Sequence, residues 1–266
     1  MYEFNYQKAS SVADASARLA ASTDGRLLAG GQTLIASMKM RLVAPSDLID
    51  LAGAAGLTAI EVTPGGVKIG AMATHASVAD SPVVIKAIPA LATLAAGIGD
   101  RMVRQMGTIG GSVANNDPAA DYPAALVALG ATVHTDQRQM PADSFFKGMY
   151  ETALAAGEIV TAVTFPVPKR AAYIKFKNPA SRYAIVGVFV AQTAAGVRVA
   201  VTGAGPGVFR VPAMEAALGG NFSSAALDGI AVSATDLNTD MHASGEYRAH
   251  LVGVMAKRAV ERALAT

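Results

Sequence analysis

The chain has 266 residues and a mass of 27.0 kDa, enough for one large or two small domains with buried cores of their own. Apolar residues make up 52% and charged residues only 16%, with 22 Lys+Arg against 20 Asp+Glu, a net charge of +2 and a mean hydropathy of +0.36. This excludes disorder over most of the length and, with no basic block, dedicated nucleic-acid binding.

There is no cysteine, so a disulfide scaffold, a thiolate nucleophile and an iron–sulfur cluster ligated by this chain are excluded too. The sparse charge fits either an alanine-rich sequence as such or a surface partly covered by other chains. The longest uncharged apolar stretch, residues 183–197, falls short of the ~20 residues a membrane span needs. No basic segment leads into an apolar one at the N-terminus, so the expectation is a cytoplasmic chain without a secretory signal.

Ser10 or Ser11 offers an N-cap for a helix reaching about Ser22, with Val12, Ala15, Leu19 and Ala20 on one face. RLLA (26–29) reads as a short buried strand running into Gly30-Gly31. QTLIASMKM continues with helical spacing until Pro45 ends the unit, and LIDL (48–51) is the next strand. TAIEV (58–62) and VKIGA (67–71), separated by Thr63-Pro64-Gly65-Gly66, form a hairpin pattern. Residues 77–97 are helical in pattern, interrupted by Pro82 and Pro89.

Residues 97–123 mix Gly, Asn, Asp and Pro with the apolar Met102, Val103, Ile109 and Val113, the composition of a long, ordered, functional loop. A short helix (123–130) and a strand (131–135) follow. A strand at 158–168 is closed by Pro166 and Pro168, which mark a domain boundary. The expected domains are 1–168, in lobes of about 1–55 and 56–168, and 169–266. The second part reads as strands at 173–177, 185–193 and 196–205. Its terminal helix, roughly 245–265, is capped by Ser244, with Leu251, Val254, Met255 and Ala259 inward and Lys257 paired with Glu261 outward.

Two glycine pairs, in AGGQT (29–33) and GTIGGS (107–112), carry the first chemical signal. A glycine pair after a strand leaves backbone N–H groups uncovered, and such groups bind phosphate. Gln32, Thr33, Thr108 and Ser112 add short polar side chains. The two turns suit the two walls of a pyrophosphate site, or else are tight turns where strands approach closely. Neither is G-x-G-x-x-G, and neither carries the Lys of G-x-x-x-x-G-K-[ST].

Asn115, Asn116, Asp117 and Asp121 follow the second pair. They would repel phosphate but suit a ring N–H or sugar hydroxyls, or else bond their own backbone. The four histidines, His75, His134, His242 and His250, lack metal-site spacing, and no G-x-S-x-G elbow is present. Tyr183, ahead of an apolar strand, offers a ring for stacking on a planar ligand or is an amphipathic strand-end residue.

Taken in order, several segments resemble the FAD-binding medium subunit of the molybdenum hydroxylases, the xanthine dehydrogenase and carbon monoxide dehydrogenase family. They are AGGQTLIASMKMRLVAPSDLIDL (29–51), IGAMATH (69–75), PALATLAAGIGDRMVRQMGTIGGSVANNDPAADYPAAL (89–126), ETALAAGEIVTAVTFPVP (151–168), YIKFKNPASRYAIVGV (173–188) and SGEYRAHLVGVMAKRAVERAL (244–264). The resemblance implies an α+β fold: a two-lobed FAD-binding domain of the vanillyl-alcohol-oxidase (PCMH) type, then a C-terminal antiparallel sheet-plus-helix domain. It implies that Leu27, Leu28, Ala29, Gly30, Gly31, Gln32, Thr33 and Leu34 lie on one side of the FAD pyrophosphate, with Leu34 towards the flavin. Thr108, Ile109, Gly110, Gly111 and Ser112 would lie on the other side. Asp121 matches the family's flavin-contacting aspartate, Val160 and Lys177 two further FAD contacts, and Ile98 an apolar contact. Tyr183 matches the tyrosine that the carbon monoxide dehydrogenase branch stacks on the isoalloxazine.

The resemblance also implies an oxidoreductase component with no catalytic acid or base and no metal ligand of its own. FAD, held without a covalent link, would take electrons from a partner's iron–sulfur cluster and pass them to an acceptor. The implied partners are a large molybdenum-pterin subunit, which binds the substrate, and a small subunit with two [2Fe-2S] clusters, in a dimer of heterotrimers. Without cysteine, the branch with an extra [4Fe-4S] cluster on this subunit is excluded. Two rival readings stand beside this one. One is a stand-alone FAD-dependent oxidase or dehydrogenase of small molecules, for which His75 is the least unsuitable base. The other is a cofactor-free scaffold, against which the intact glycine turns speak.

Overall fold

A computed structural model describes residues 1–265. The first lobe alternates strand and helix: β1 (Asn5–Lys8), α1 (Val12–Ala21), β2 (Gly25–Leu28), α2 (Leu34–Lys39) and β3 (Asp47–Asp50). Ser11 rather than Ser10 caps α1, its hydroxyl accepting from Asp14 N at 3.0 Å. The sheet is parallel, in the order β1-β3-β2. β3 is the central strand and is buried at Asp47, Leu48 and Ile49. The strand expected to be buried, β2, lies at the edge and is only half-buried.

The second lobe opens with the expected hairpin, β4 (Ile60–Thr63) and β5 (Gly66–Gly70). The helical stretch is three helices, α3 (His75–Asp80), α4 (Pro82–Ala87) and α5 (Pro89–Ala96). Each proline starts a helix, where its missing N–H is harmless. The segment read as a long loop contains α6 (Arg101–Met106) and α7 (Ile109–Asn115). Asp100 and Thr108 cap them through side-chain acceptors. Every residue of α8 (Tyr122–Leu129) is buried. There follow β6 (Thr132–Thr135), β7 (Gln139–Pro141), the one-turn helix α9 (Ala142–Phe145), the small hairpin β8 (Phe146–Gly148) and β9 (Glu151–Thr152), and β10 (Val160–Phe165). The lobe's main sheet is antiparallel, in the order β4-β5-β10-β6-β7.

The remainder is a second antiparallel sheet, β11 (Arg170–Lys177), β12 (Ala184–Thr193), β13 (Gly196–Thr202) and β14 (Phe209–Arg210), followed by α10 (Pro212–Gly220) and α11 (Gly245–Leu264). α11 lies on β11 and β12. Ser244 caps it, and Leu251, Val252, Met255, Ala256, Ala259, Val260 and Ala263 are its buried stripe. Lys257 pairs with Asp228 at 2.5 Å rather than with Glu261, because the neighbouring segment brings an acid to that face. α8 packs against both β12 and β13. Tyr173, Phe189, Ala191 and Ala200 of this sheet therefore belong to the same core as β5, β10, α5 and α8. Among the described residues no helix is long and apolar enough to cross a membrane.

Candidate functional site

β2 delivers residues 29–33 to the edge of the first lobe, and α6 and α7 deliver residues 107–112 from the second. Backbone meets backbone where they join: a Cβ on Gly30 would lie 2.2 Å from the Met106 carbonyl oxygen and 2.7 Å from Gly107 Cα. Gly31, at φ +70°, turns the chain out of β2 towards α2. A Cβ on Gly111 would lie 3.7 Å from that of Ala29, so the two glycine turns sit side by side. The second turn is pinned from behind. His75 N donates to Gly107 O at 2.9 Å and Ile109 N to Ala73 O at 3.0 Å. A Cβ on Gly110 would strike the backbone of Ala71.

The two turns differ in what they offer a ligand. The amides of Gly30, Gly31, Gln32, Thr33 and Leu34 donate no hydrogen bond among the described residues; the first to do so is Ile35 N, to Gly31 O at 3.0 Å. Thr33 makes no side-chain cap bond. In the second turn Gly110 N donates to Ala71 O at 2.8 Å, Gly111 N to Thr108 Oγ1 at 3.1 Å and Ser112 N to Thr108 O at 3.1 Å. The first turn presents five bare amides; in the second only Thr108 N makes no bond among the described residues, because Val103, Ala73 and Ala71 carbonyls and the N-cap Thr108 take the others. The second turn contributes a flat surface at Gly111 and the hydroxyls of Thr108 and Ser112. Ile109 is fully buried and belongs to the core.

Asp121 opens α8 and is 4% exposed. Tyr173 Oη donates to its Oδ1 at 2.5 Å, and Lys175 Nζ lies 2.9 Å from Oδ1 and 3.1 Å from Oδ2. Burial pushes the Asp121 carboxyl above its ordinary value, against the pull of the Lys175 charge. Burial also drives the Tyr173 phenol up, with the Asp121 charge adding to it. Tyr173 and Lys175 share one face of β11 by the two-residue period of a strand, a signal already present in YIKFK. Lys177 follows a register shift between Phe176 and Lys177. Its side chain is exposed and makes no hydrogen bond or ion pair among the described residues, while its backbone pairs with Ala184. Gly187 on β12 makes room for this cluster, since a Cβ there would lie 2.2 Å from Tyr173 Oη.

Three cations converge on the carbonyls beside Ile98. Lys175 donates to Gly97 O at 3.0 Å, Arg104 to Ile98 O and Gly99 O at 3.0 Å each, and Arg182 to Gly99 O at 3.3 Å. Ile98 is thereby held, half-buried, beside the Asp121 cluster. Tyr183 is half-exposed and lies next to Ala184, whose N donates to Ala119 O at 3.4 Å. Burial raises the Tyr183 phenol, and the Asp117 and Asp121 carboxylates add to it. Val160 is buried in β10. Its neighbour Ile159 shares a small apolar cluster with Leu27 and Ala29.

His75 is buried behind Gly107, and its Nδ1 has no partner among the described residues. Burial lowers its imidazole to about 4, with the Arg104 charge adding to it, so it is neutral, and it is enclosed at 5% exposure. No group of three or more His, Cys, Asp or Glu able to hold a metal occurs among the described residues.

Comparison with known proteins gives a consistent result. Residues 2–168 match the family model described as the FAD binding domain in molybdopterin dehydrogenase. Residues 171–263 match the CO dehydrogenase flavoprotein C-terminal domain. The nicotine 6-hydroxylase medium subunit of Paenarthrobacter nicotinovorans is 37% identical over 97% of this chain and 96% of its own length. The carbon monoxide dehydrogenase medium chain of Afipia carboxidovorans is 36% identical over 98% and 97%. Among solved structures, reconstituted CO dehydrogenase from Oligotropha carboxidovorans superposes with a TM-score of 0.91 at 34% identity, covering 99% of this chain and 98% of that one. Quinoline 2-oxidoreductase from Pseudomonas putida 86 gives 0.90 at 28% identity, with the same coverage.

Proposed function

The chain belongs to the molybdopterin dehydrogenase family as its FAD-binding medium subunit, and from that premise we propose that it relays electrons from a partner's [2Fe-2S] cluster through FAD to an external acceptor. The observation that carries this is the junction of the two glycine turns, where the unbonded amides of residues 30–34 lie beside the side-chain-free surface of Gly111. A row of free N–H groups fits a diphosphate, because each anionic oxygen needs donors and the turn supplies them without a side chain in the way.

In this reading Leu27, Leu28, Ala29, Gly30, Gly31, Gln32, Thr33 and Leu34 form the first wall, its donors being the amides of 30–34, while Thr108, Gly110, Gly111 and Ser112 form the opposite wall, with Ile109 anchoring it in the core. Val160 closes the side next to Leu27. Ile98, Asp121, Lys177 and Tyr183 serve the flavin end. Lys175 and Tyr173 hold Asp121 in place, so its carboxylate stays fixed in a dry setting. When bound, FAD supplies the redox chemistry, exchanging electrons singly with a cluster and in pairs with an acceptor.

The FAD-binding domain is assigned to 1–168 and the C-terminal domain to 169–266. The proposed assembly is a dimer of heterotrimers in the cytoplasm, with a large molybdenum-pterin subunit and a small iron–sulfur subunit. The sparse surface charge suits a chain that buries surface in such an assembly.

Gly111→Val tests the placement. A Cβ at 111 meets only Thr108 Oγ1, at 3.0 Å, and Ala29 Cβ, at 3.7 Å, so the chain should fold while its FAD content collapses. A variant that keeps stoichiometric flavin overturns the placement of the second turn.

A further inference from the structure

Backbone strain gathers at one place. Among the described residues, four other than glycine have left-handed backbone, Arg41, Asn116, Tyr150 and Arg182, at φ of +60°, +44°, +56° and +63°. Two of them, Asn116 and Tyr150, meet the turn at 117–121, and Arg182 lies two residues before Ala184, which bonds it. This conformation is costly for a residue with a Cβ, most of all for a large ring, and persists only where the surroundings over-determine it. Here they do. Asn116 Nδ2 donates to Gly148 O and Glu151 O, both at 2.8 Å, and Tyr150 N donates to Asn116 O at 3.2 Å. These bonds clamp the β8–β9 hairpin with Tyr150 at its tip.

The strained residue lies at the surface, with Tyr150 58% exposed. Its hydroxyl donates to Asp117 Oδ2 at 3.1 Å, while Asp117 Oδ1 accepts from Ala119 N at 2.8 Å. Tyr183 reaches the same turn from the C-terminal sheet, through Ala184 N and Ala119 O. Two exposed tyrosines, one from each domain, are thus brought to one short turn, and the ring of one is tethered by its hydroxyl. Glycine would occupy φ +56° freely, whereas here a tyrosine sits at this position with its ring at the surface and its hydroxyl bonded to Asp117.

We propose that Tyr150 is a second aromatic group of the flavin site, tethered to Asp117 so that its ring shields the isoalloxazine on which Tyr183 stacks and restricts the approach of small oxidants. This rests on the FAD reading given above. Tyr150 takes part in no bond-making step; its role is exclusion, as a closed site excludes side reactions.

The test loads the full chain with FAD, reduces it, and follows reoxidation by dioxygen, in which the reduced flavin gives up two electrons and hydrogen peroxide forms. FAD affinity, the flavin absorption spectrum and the thermal midpoint are recorded alongside. Tyr150→Gly removes the ring and relieves the backbone. It should keep its FAD content and a thermal midpoint at or above that of the parent, shift the flavin spectrum, and reoxidise about tenfold faster. Tyr150→Phe keeps the ring without its tether and should fall between the two. Full flavin content with an unchanged spectrum and unchanged reoxidation in Tyr150→Gly overturns the shield while leaving the FAD site intact. A fall in the thermal midpoint of the glycine variant overturns it as well, by showing the ring to be a structural brace. A parent chain that takes up no FAD refutes the underlying reading instead.

Discussion

Lys175→Met isolates the electrostatics of the domain junction. The Lys175 and Asp121 side chains are 7% and 4% exposed, and Nζ lies within 3.1 Å of both carboxylate oxygens. Methionine keeps the apolar stem and removes the charge. Leaving one member of a buried pair unpaired costs about 3–5 kcal/mol, and Gly97 O also loses its donor, worth about another 1 kcal/mol. The pH dependence identifies the cause. Burial raises the Asp121 carboxyl in the folded chain and Lys175 opposes that rise, so without Lys175 the carboxyl rises further. Between its ordinary value, about 3.9, and its raised folded value, the folded chain binds more protons than the unfolded one. Stability therefore falls as pH rises through that window, and the variant's window reaches to higher pH. Urea unfolding should show a larger deficit at about pH 8 than at about pH 5. Lys175→Met/Asp121→Asn should recover most of it. Equal deficits at both pH values, or a double variant no better than the single one, would refute an unpaired carboxylate as the source of the cost.

Gly30→Ala should fail for a different reason from Gly111→Val. A Cβ 2.2 Å from the Met106 carbonyl oxygen cannot be relieved by rotating a side chain, so the two turns must separate. The apo chain should lose about 1–3 kcal/mol in chemical unfolding, together with its FAD affinity. Glu158 is held well below the usual carboxylate range, at about 2, first by hydrogen bonds from Arg138 and further by those from Ala155 N and Thr135. Its contribution is present above the ordinary glutamate value and is lost as pH falls through the folded one. Glu158→Gln should destabilise by about 1–3 kcal/mol near neutral pH, the lower end being favoured because Arg138 is half-exposed. The gap from the parent should close on acidification, which urea midpoints across that range would show.

Much of the architecture is legible in the sequence because it rests on local signals. Pro82 and Pro89 each begin a helix, Thr63-Pro64-Gly65-Gly66 makes the hairpin, and Ser244 caps the last helix. α6 and α7 are not legible. A six- or seven-residue helix is too short for a periodic pattern and stands on its cap and its packing. The burial of β2 is misread for a related reason: apolar composition does not reveal whether a strand lies at a sheet's edge. Lys175 is not singled out in the sequence, although YIKFK places it at an alternating position with Lys177. Only the register shift after Phe176 separates the one that meets Asp121 from the one that does not.

By itself the sequence determines where side chains are missing and which chemistries are unavailable: glycine at 30, 31, 110 and 111, and no cysteine anywhere. These are properties of single positions and need no neighbour. The tertiary structure alone decides that Gly30 meets Met106 and Gly107, that the Ala73 and Ala71 carbonyls take the Ile109 and Gly110 amides, and that Tyr150 and Tyr183 arrive at one turn from two domains. Those contacts join residues far apart in the chain, often through backbone atoms that every residue shares, so no residue type announces them in advance.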